Sequence, residues 1–268
     1  LQVSSGKNQK ARVLQIASML KGAMYAGGAM QTTDETILKN IKRSNISLEE
    51  MSSKNDESEN TDDINSYTEL ILALPGDTVK AHSKSLRDMV EIGVNQIRMY
   101  QLIMLRQTEM NTIESRNKYG LQTKFRLMPR SFGNYELWGE KFPAVEFEEI
   151  CVGNNTMSFE EYLDCRELDL TVEIINNGRL FHELIGLCKK LGLFWFDVVI
   201  AFHEHRQTFT PALTSLYKEF RDDSVNGIWE TGDDLVSSVK SKMGEYLADK
   251  EGTNEMAKGK AKAIFNFL

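Results

Sequence analysis

The 268-residue chain is poor in cysteine and proline, with three of the first and four of the second. Cys151, Cys165 and Cys188 are odd in number and irregularly spaced. This argues against a disulfide framework and favours a reducing, cytoplasmic compartment. Their spacing fits no known zinc or iron–sulfur motif, so no metal ligand is predicted in this chain.

The chain also lacks a long apolar run. The apolar stretch from Leu193 to Phe202 has ten residues, about half of the roughly 20 that a membrane-spanning helix needs. The first residues carry no signal-peptide pattern. We therefore predict a core helix at this stretch and no membrane span.

An excess of basic charge is absent as well. The net charge is −7, and seven acidic residues against one lysine between Glu49 and Asp63 supply −6 of it. A capping box at Ser47–Glu50 predicts a solvated helix there, followed by a linker. Binding to nucleic acid is not expected, because neutralising phosphates requires a basic face.

The chain does contain a series of short strands that alternate with amphipathic helices. Strands are predicted at residues 1–5, 24–31, 68–74 and 97–104, paired in parallel and in that order, with helices on one face. This alternation predicts a parallel α/β fold, either a barrel or a doubly wound sheet. From residue 158 onward the pattern is helical throughout.

The carboxyl ends of such strands carry the chemistry of parallel sheets. The first unit ends in Gln31-Thr-Thr-Asp34 and continues with a helix containing Leu38 and Arg43. The second unit ends in Ala73-Leu-Pro-Gly-Asp-Thr78, and the third is Gln96–Glu109. These three units resemble the radical S-adenosylmethionine (radical SAM) enzymes, in particular their cobalamin-binding and methylthiotransferase-like branches.

The resemblance covers roughly residues 1–120 and has departures. Ala73 stands where the family has Gly, Asp77 where it has Glu, and Arg106-Gln107 where it has Pro-Gly. The resemblance implies a partial (β/α) barrel of about four parallel strands over residues 1–120. A connecting extension at 121–157 and a helical carboxyl-terminal domain at 158–268 would follow.

The defining motif of the family, Cys-x-x-x-Cys-x-x-Cys, is missing. We therefore interpret the chain as the carboxyl-terminal part of a longer enzyme, with the ligands of the [4Fe–4S] cluster upstream. By itself it is predicted to be inactive and to bind no cluster. Leu1–Ser5 is predicted to be an exposed sheet edge that favours dimers or aggregates.

The resemblance also implies a binding site for SAM. Gln31 and Thr32 would lie beside its methionine or ribose, and Arg43 could pair with the methionyl carboxylate. The backbone near Gly76 and the segment Tyr100–Leu102 would receive the adenine. The predicted cofactor-binding residues are Gln31, Thr32, Thr33, Arg43, Leu74, Gly76, Tyr100, Gln101 and Leu102. The competing interpretation makes them ordinary turn, helix-end and core-strand residues.

Two further groups have open interpretations. Lys124, Arg126 and Arg130 alternate with aromatic residues, and this patch either contacts an anionic substrate or cofactor tail or forms a loop over the barrel. His203 and His205 are two residues apart on a predicted helix and so point to different faces, which argues against a metal site.

Two classes of function remain. The first is a radical SAM enzyme that cleaves SAM to a 5′-deoxyadenosyl radical, for methyl transfer through cobalamin or a related modification. It implies a small-molecule or biosynthetic-intermediate substrate and a reductant protein; an upstream cobalamin domain is a further option. The second is a non-catalytic half-barrel that binds partners through its helical tail.

Overall fold

The structure is a computed structural model that describes residues 16, 19, 20, 25–45, 65–177, 180–249 and 253–267. This part of the chain contains six strands. They are β1 Tyr25–Gln31, β2 Asn65–Leu72, β3 Gln96–Gln101, β4 Gln122–Leu137, β5 Glu140–Gly153 and β6 Ile228–Trp229. The predicted edge strand at residues 1–5 and the acidic stretch at 49–63 lie outside the described residues.

Ten α-helices occur in the same part of the chain. They are α1 Glu35–Asn40, α2 Val79–Glu91, α3 Ile113–Tyr119, α4 Phe159–Ile175, α5 His182–Lys190, α6 Trp195–Glu204, α7 Pro211–Asn226, α8 Gly232–Ser241, α9 Met243–Ala248 and α10 Glu255–Phe267. Single 3₁₀ turns occur at Glu109–Asn111 and Arg206–Thr208. No helix among the described residues is both long and apolar enough to cross a bilayer.

The chain divides into two compact units. The first comprises Leu1–Leu72, Asp77–Tyr100 and Thr171–Arg206, and the second comprises Ala73–Gly76, Gln101–Leu170 and Gln207–Leu268. The predicted boundaries near residues 120 and 157 stay predictions.

The first unit contains a three-stranded parallel sheet in the order β1-β2-β3. Strands β1 and β2 pair in parallel from Tyr25 opposite Asn65 onward, and the register shifts between Ala29 and Gln31. Leu70, Leu72 and Ile97 of this sheet are buried. The predicted parallel α/β arrangement is therefore confirmed for these three strands, each within about three residues of its predicted ends.

Helix α2, which follows β2, has a clear amino-terminal cap, one buried apolar face and a glycine at its carboxyl end. Thr78 caps its amino end by accepting a hydrogen bond from the Ala81 amide. Leu86 and Met89 lie on one face and are fully buried. Gly93 ends the helix with a φ of 84°, in a Schellman arrangement that glycine adopts without strain. The helix thereby returns the chain to the sheet for β3.

The second unit contains a long antiparallel hairpin, β4–β5, with β6 on the other side of β4. Leu127, Leu235, Val239 and Met243 form a buried cluster, against which Phe147 and other half-buried side chains pack. The prediction of helix throughout from residue 158 is wrong at β6. Two residues are too few for a strand pattern, and the pairing of β6 with Phe125 and Arg126 makes it a strand.

Candidate functional site

The carboxyl end of β1 carries the first group of predicted site residues. Gln31 is half-buried and has left-handed backbone, with a φ of 66°. Asp34, three residues later, caps α1 by accepting hydrogen bonds from the amides of Thr36 and Ile37. The chain therefore changes direction sharply between strand and helix, with Gln31 at the bend.

Thr32 and Thr33 are fixed by side chains of α2. The Thr32 hydroxyl lies 3.2 Å from the Ser85 hydroxyl, which also accepts a hydrogen bond from the Thr33 amide at 3.0 Å. The Thr33 hydroxyl donates to Asp88 at 2.6 Å. Because these hydroxyls already have partners within the unit, their first effect is to hold the strand end in place.

Arg43 lies just beyond α1 and its side chain is exposed. Its backbone amide donates to the Leu38 carbonyl at 2.9 Å, and the preceding Lys42 has a φ of 53°. The guanidinium group is thus presented to solvent by a tight helix end. A guanidinium group can donate two parallel hydrogen bonds to a carboxylate or another anionic group.

The turn after β2, within the second unit, carries Leu74 and Gly76. Ala73 and Gly76 both have left-handed backbone, with φ values of 64° and 86°. Leu74 is buried, and its carbonyl accepts a hydrogen bond from the Asn154 side-chain amide at 2.9 Å. Ala73, which replaces the Gly of the family pattern, adopts a conformation that favours Gly.

The end of β3 carries the last three predicted residues. Tyr100 is exposed, whereas Gln101 and Leu102 are buried. The Gln101 side-chain oxygen accepts a hydrogen bond from Arg126, and the Leu102 carbonyl accepts one from the Cys151 amide at 2.8 Å. The side-chain oxygen of Gln101 therefore already has a partner within the second unit.

Sequence analysis missed the residues that hold these segments. Ser85, Asp88 and Asn154 were not singled out, and Arg126 was noted only as part of a basic patch. That patch lies on β4, where Lys124 pairs with Glu230 and Arg126 pairs with Glu148. Glu230 lies 106 residues from Lys124 and Glu148 lies 22 residues from Arg126 along the chain, so no local pattern could have indicated these pairs.

Two titratable groups of β5 have pKa values shifted from their ordinary values. Burial raises the pKa of the Cys151 thiol to about 11, so it stays protonated at neutral pH. Burial raises the pKa of Glu149, but hydrogen bonds from Arg116 and Thr123 outweigh this and hold it below its ordinary value. No group of three or more His, Cys, Asp or Glu residues in the described part of the chain is placed to hold a metal ion.

The two histidines noted in the sequence have separate partners. His203 Nδ1 lies 2.8 Å from the Thr171 hydroxyl, and His205 Nδ1 lies 2.8 Å from the Ala201 carbonyl. Thr171, Ala201, His203 and His205 all belong to the first unit.

The residue types at the strand ends fit the polar groups of S-adenosylmethionine. The Gln31 amide suits ribose hydroxyls, and the exposed Arg43 guanidinium suits a carboxylate. In the turn after β2, Ala73 has left-handed backbone of the kind that functional sites retain in spite of its strain. The assignment of the nine residues to a cofactor stays a prediction.

Comparison with known proteins gives two relatives, while no family model matches. The chain is 31% identical over 182 residues to the 2-(S-pantetheinyl)-carbapenam-3-carboxylate methyltransferase of Streptantibioticus cattleyicolor. It is 29% identical over 182 residues to the cobalamin-dependent radical SAM methyltransferase TokK of Streptomyces tokunonensis. Each match covers 66% of this chain and 26% of the relative, so it spans about a quarter of the relatives' length.

Proposed function

We infer that this chain, a homologue of the cobalamin-dependent radical SAM methyltransferases, is the part of such an enzyme that binds S-adenosylmethionine. The observation that carries the proposal is the similarity over 182 residues to two methyltransferases, one of which bears the radical SAM name. When bound, SAM and the cluster supply a 5′-deoxyadenosyl radical for cobalamin-dependent methyl transfer or a related modification.

Residues of the first unit serve the methionine and ribose. The Gln31 amide hydrogen-bonds to these polar groups, and Arg43 pairs with the carboxylate. Thr32 and Thr33 keep the strand end in position through Ser85 and Asp88. The contribution of this unit is orientation, which is what radical chemistry requires of the protein.

Residues of the second unit serve the adenine. Leu74 and Gly76 offer backbone groups of a left-handed turn, and Leu102 offers a buried apolar side chain. Gln101 contributes through its backbone, since Arg126 already occupies its side-chain oxygen.

The remaining cofactors are held elsewhere in the whole enzyme. The three cysteines of this chain are buried, and Cys151 is protonated at neutral pH, so they do not suit the cluster. We propose that the cluster ligands and the cobalamin domain belong to another part of the protein. The parallel sheet then continues as a (β/α) barrel.

The substrate is a small biosynthetic intermediate, and a reductant protein supplies the electron. One relative is named as a methyltransferase of a pantetheinyl carbapenam carboxylate. That name supports a small, polar substrate for this enzyme as well. The whole enzyme is expected in the cytoplasm, where thiols stay reduced.

The test uses the full-length protein, reconstituted anaerobically with iron, sulfide and cobalamin and given a reductant and SAM. We expect formation of 5′-deoxyadenosine, and about tenfold weaker SAM binding in Gln31→Ala, from the loss of one or two hydrogen bonds. The 268-residue chain alone should bind no cluster and release no 5′-deoxyadenosine. A reconstituted full-length protein that neither binds nor cleaves SAM would favour the non-catalytic alternative.

A further inference from the structure

The proposed function assigns two segments of the second unit to the adenine, Leu74–Gly76 and Gln101–Leu102, here called the adenine-side segments. The β4–β5 hairpin and the turn that follows it form hydrogen bonds to both of them. Asn154, just after β5, donates from Nδ2 to the Leu74 carbonyl at 2.9 Å. Arg126 of β4 donates from Nη1 to Oε1 of Gln101. The Cys151 amide of β5 donates to the Leu102 carbonyl at 2.8 Å. These three hydrogen bonds join residues that are 80, 25 and 49 positions apart along the chain.

The amide of Asn154 has its orientation fixed by its own turn. Its Oδ1 accepts hydrogen bonds from the Thr156 amide at 2.8 Å and the Thr156 hydroxyl at 2.7 Å. Because an N–H can only donate, Oδ1 must face Thr156, and Nδ2 must face Leu74. Backbone hydrogen bonds between Asn154 and Met157 close the same turn. The side chain is also buried, so it is a rigid donor.

The guanidinium of Arg126 is oriented in a comparable way. Its Nε donates to Glu148 on the neighbouring strand at 2.6 Å, and both side chains are largely buried. Since the guanidinium group is planar, this ion pair fixes the direction in which Nη1 points. Gln101 is thereby held at the end of β3.

We propose that Asn154 and Arg126 are positioning residues that hold the adenine-side backbone of the SAM site in its binding conformation. The proposal rests on the proposed function. In the turn after β2, Ala73 has left-handed backbone although it is not a glycine, and strained backbone of this kind persists only where neighbouring groups hold it. A base read by backbone groups is bound well only if those groups are fixed beforehand.

The first test is Asn154→Asp in the full-length protein. Aspartate keeps an oxygen that accepts from Thr156 and replaces the Nδ2 donor with a second oxygen that faces the Leu74 carbonyl. We expect SAM to bind about tenfold more weakly, as does 5′-deoxyadenosine used as a competitor, while methionine competes as in the wild type. Asn155→Asp is the matched control, because it makes the same chemical change at the exposed neighbouring residue and leaves the Asn154 side chain intact.

The second test is Arg126→Lys, which keeps the charge opposite Glu148 and loses the planar donor to Gln101. Arg116→Lys is its control, since Arg116 forms a similar ion pair with Glu149 at 2.8 Å and contacts neither adenine-side segment. We expect the first variant to lose adenosyl affinity about tenfold and the control to stay within twofold.

The outcomes separate the two proposals. Loss of affinity for SAM and 5′-deoxyadenosine, with methionine unchanged, supports the positioning role. Wild-type affinity in both test variants overturns it, and so does an equal loss for methionine, which indicates general damage to the fold. A wild-type enzyme that fails to bind SAM at all refutes the proposed function instead.

Discussion

Gln31 and Ala73 have left-handed backbone although neither is a glycine. Backbone of this kind costs on the order of 1–3 kcal/mol and is concentrated at functional sites. The two residues occupy corresponding places, at or directly after the carboxyl ends of neighbouring parallel strands. The strain is therefore located where the sequence resemblance places the ligand.

Substitution of Ala73 tests this strain. We expect Ala73→Gly to leave stability nearly unchanged, because relief of strain offsets the freedom that glycine gains in the unfolded chain. Ala73→Val should lower the free energy of unfolding by about 2 kcal/mol or more, since the position is fully buried and left-handed. Urea denaturation measures both. Ala201→Val, on the exposed face of α6, is the control, with an expected loss of about 0.5 kcal/mol.

The carboxylate of Glu149 gives stability a dependence on pH. Its folded-state pKa lies below the ordinary value, because the bonds from Arg116 and Thr123 outweigh burial. The stability it contributes is therefore complete above the ordinary glutamate pKa and is lost as the pH falls through the lowered pKa. We expect Glu149→Gln to cost about 1–2 kcal/mol at pH 7 and progressively less in acid. Glu146→Gln, exposed on the same strand, is the matched control for the substitution itself.

At the scale of elements, the tip of the β4–β5 hairpin depends on glycine. Gly139 has a φ of 83° and open space around its Cα, so a methyl group there meets no atom. Gly139→Ala should still cost about 1 kcal/mol, for conformational reasons alone. Gly244→Ala is the matched control: it is equally open but helical, and should raise stability by about 0.5–1 kcal/mol. Thermal unfolding of the two variants should shift in opposite directions.

The same hairpin shows what the sequence could not predict. Each of the three parallel strands coincides with a short apolar run that ends in a polar turn, and this local pattern predicts the strand. In β4 the alternation is interrupted, because the register shifts between Leu127 and Phe132 and Arg130 has a φ of 64°. An alternation of inward and outward side chains that is interrupted in the middle does not predict a single strand of 16 residues. Likewise, Asn154 and Arg126 form hydrogen bonds to residues that are 80 and 25 positions away along the chain. A single sequence contains no local signal for such contacts.

At the scale of the whole molecule, helix α10 is held within the second unit by a buried charge. Arg166 of α4 is almost fully buried, pairs with Glu255 of α10 at 2.5 Å and lies over the Phe220 ring. Removing one partner of a buried pair leaves the other charge uncompensated. We expect Arg166→Met to lower the free energy of unfolding by about 3 kcal/mol, and Arg166→Met with Glu255→Met to lose less.

The control for this pair is an exposed one on the same helix. Lys262 lies 3.0 Å from Glu219, and both side chains are more than a third exposed. Lys262→Met should therefore cost less than about 1 kcal/mol. Guanidinium denaturation compares the variants. A loss at Arg166 no larger than the loss at Lys262 would mean that the buried pair is not what holds α10.

The tryptophans differ widely in exposure, which has an optical consequence. Trp138, at the hairpin tip, is 95% exposed, whereas Trp195, at the start of α6, is 5% exposed. An indole in water emits at longer wavelength than one in an apolar interior, and a dissolved quencher such as acrylamide collides freely with the exposed ring alone. The fluorescence of the folded chain thus contains a red, quenchable component from the hairpin tip and a blue, protected component from the interior. A molecule that covers the tip would alter the first and leave the second unchanged.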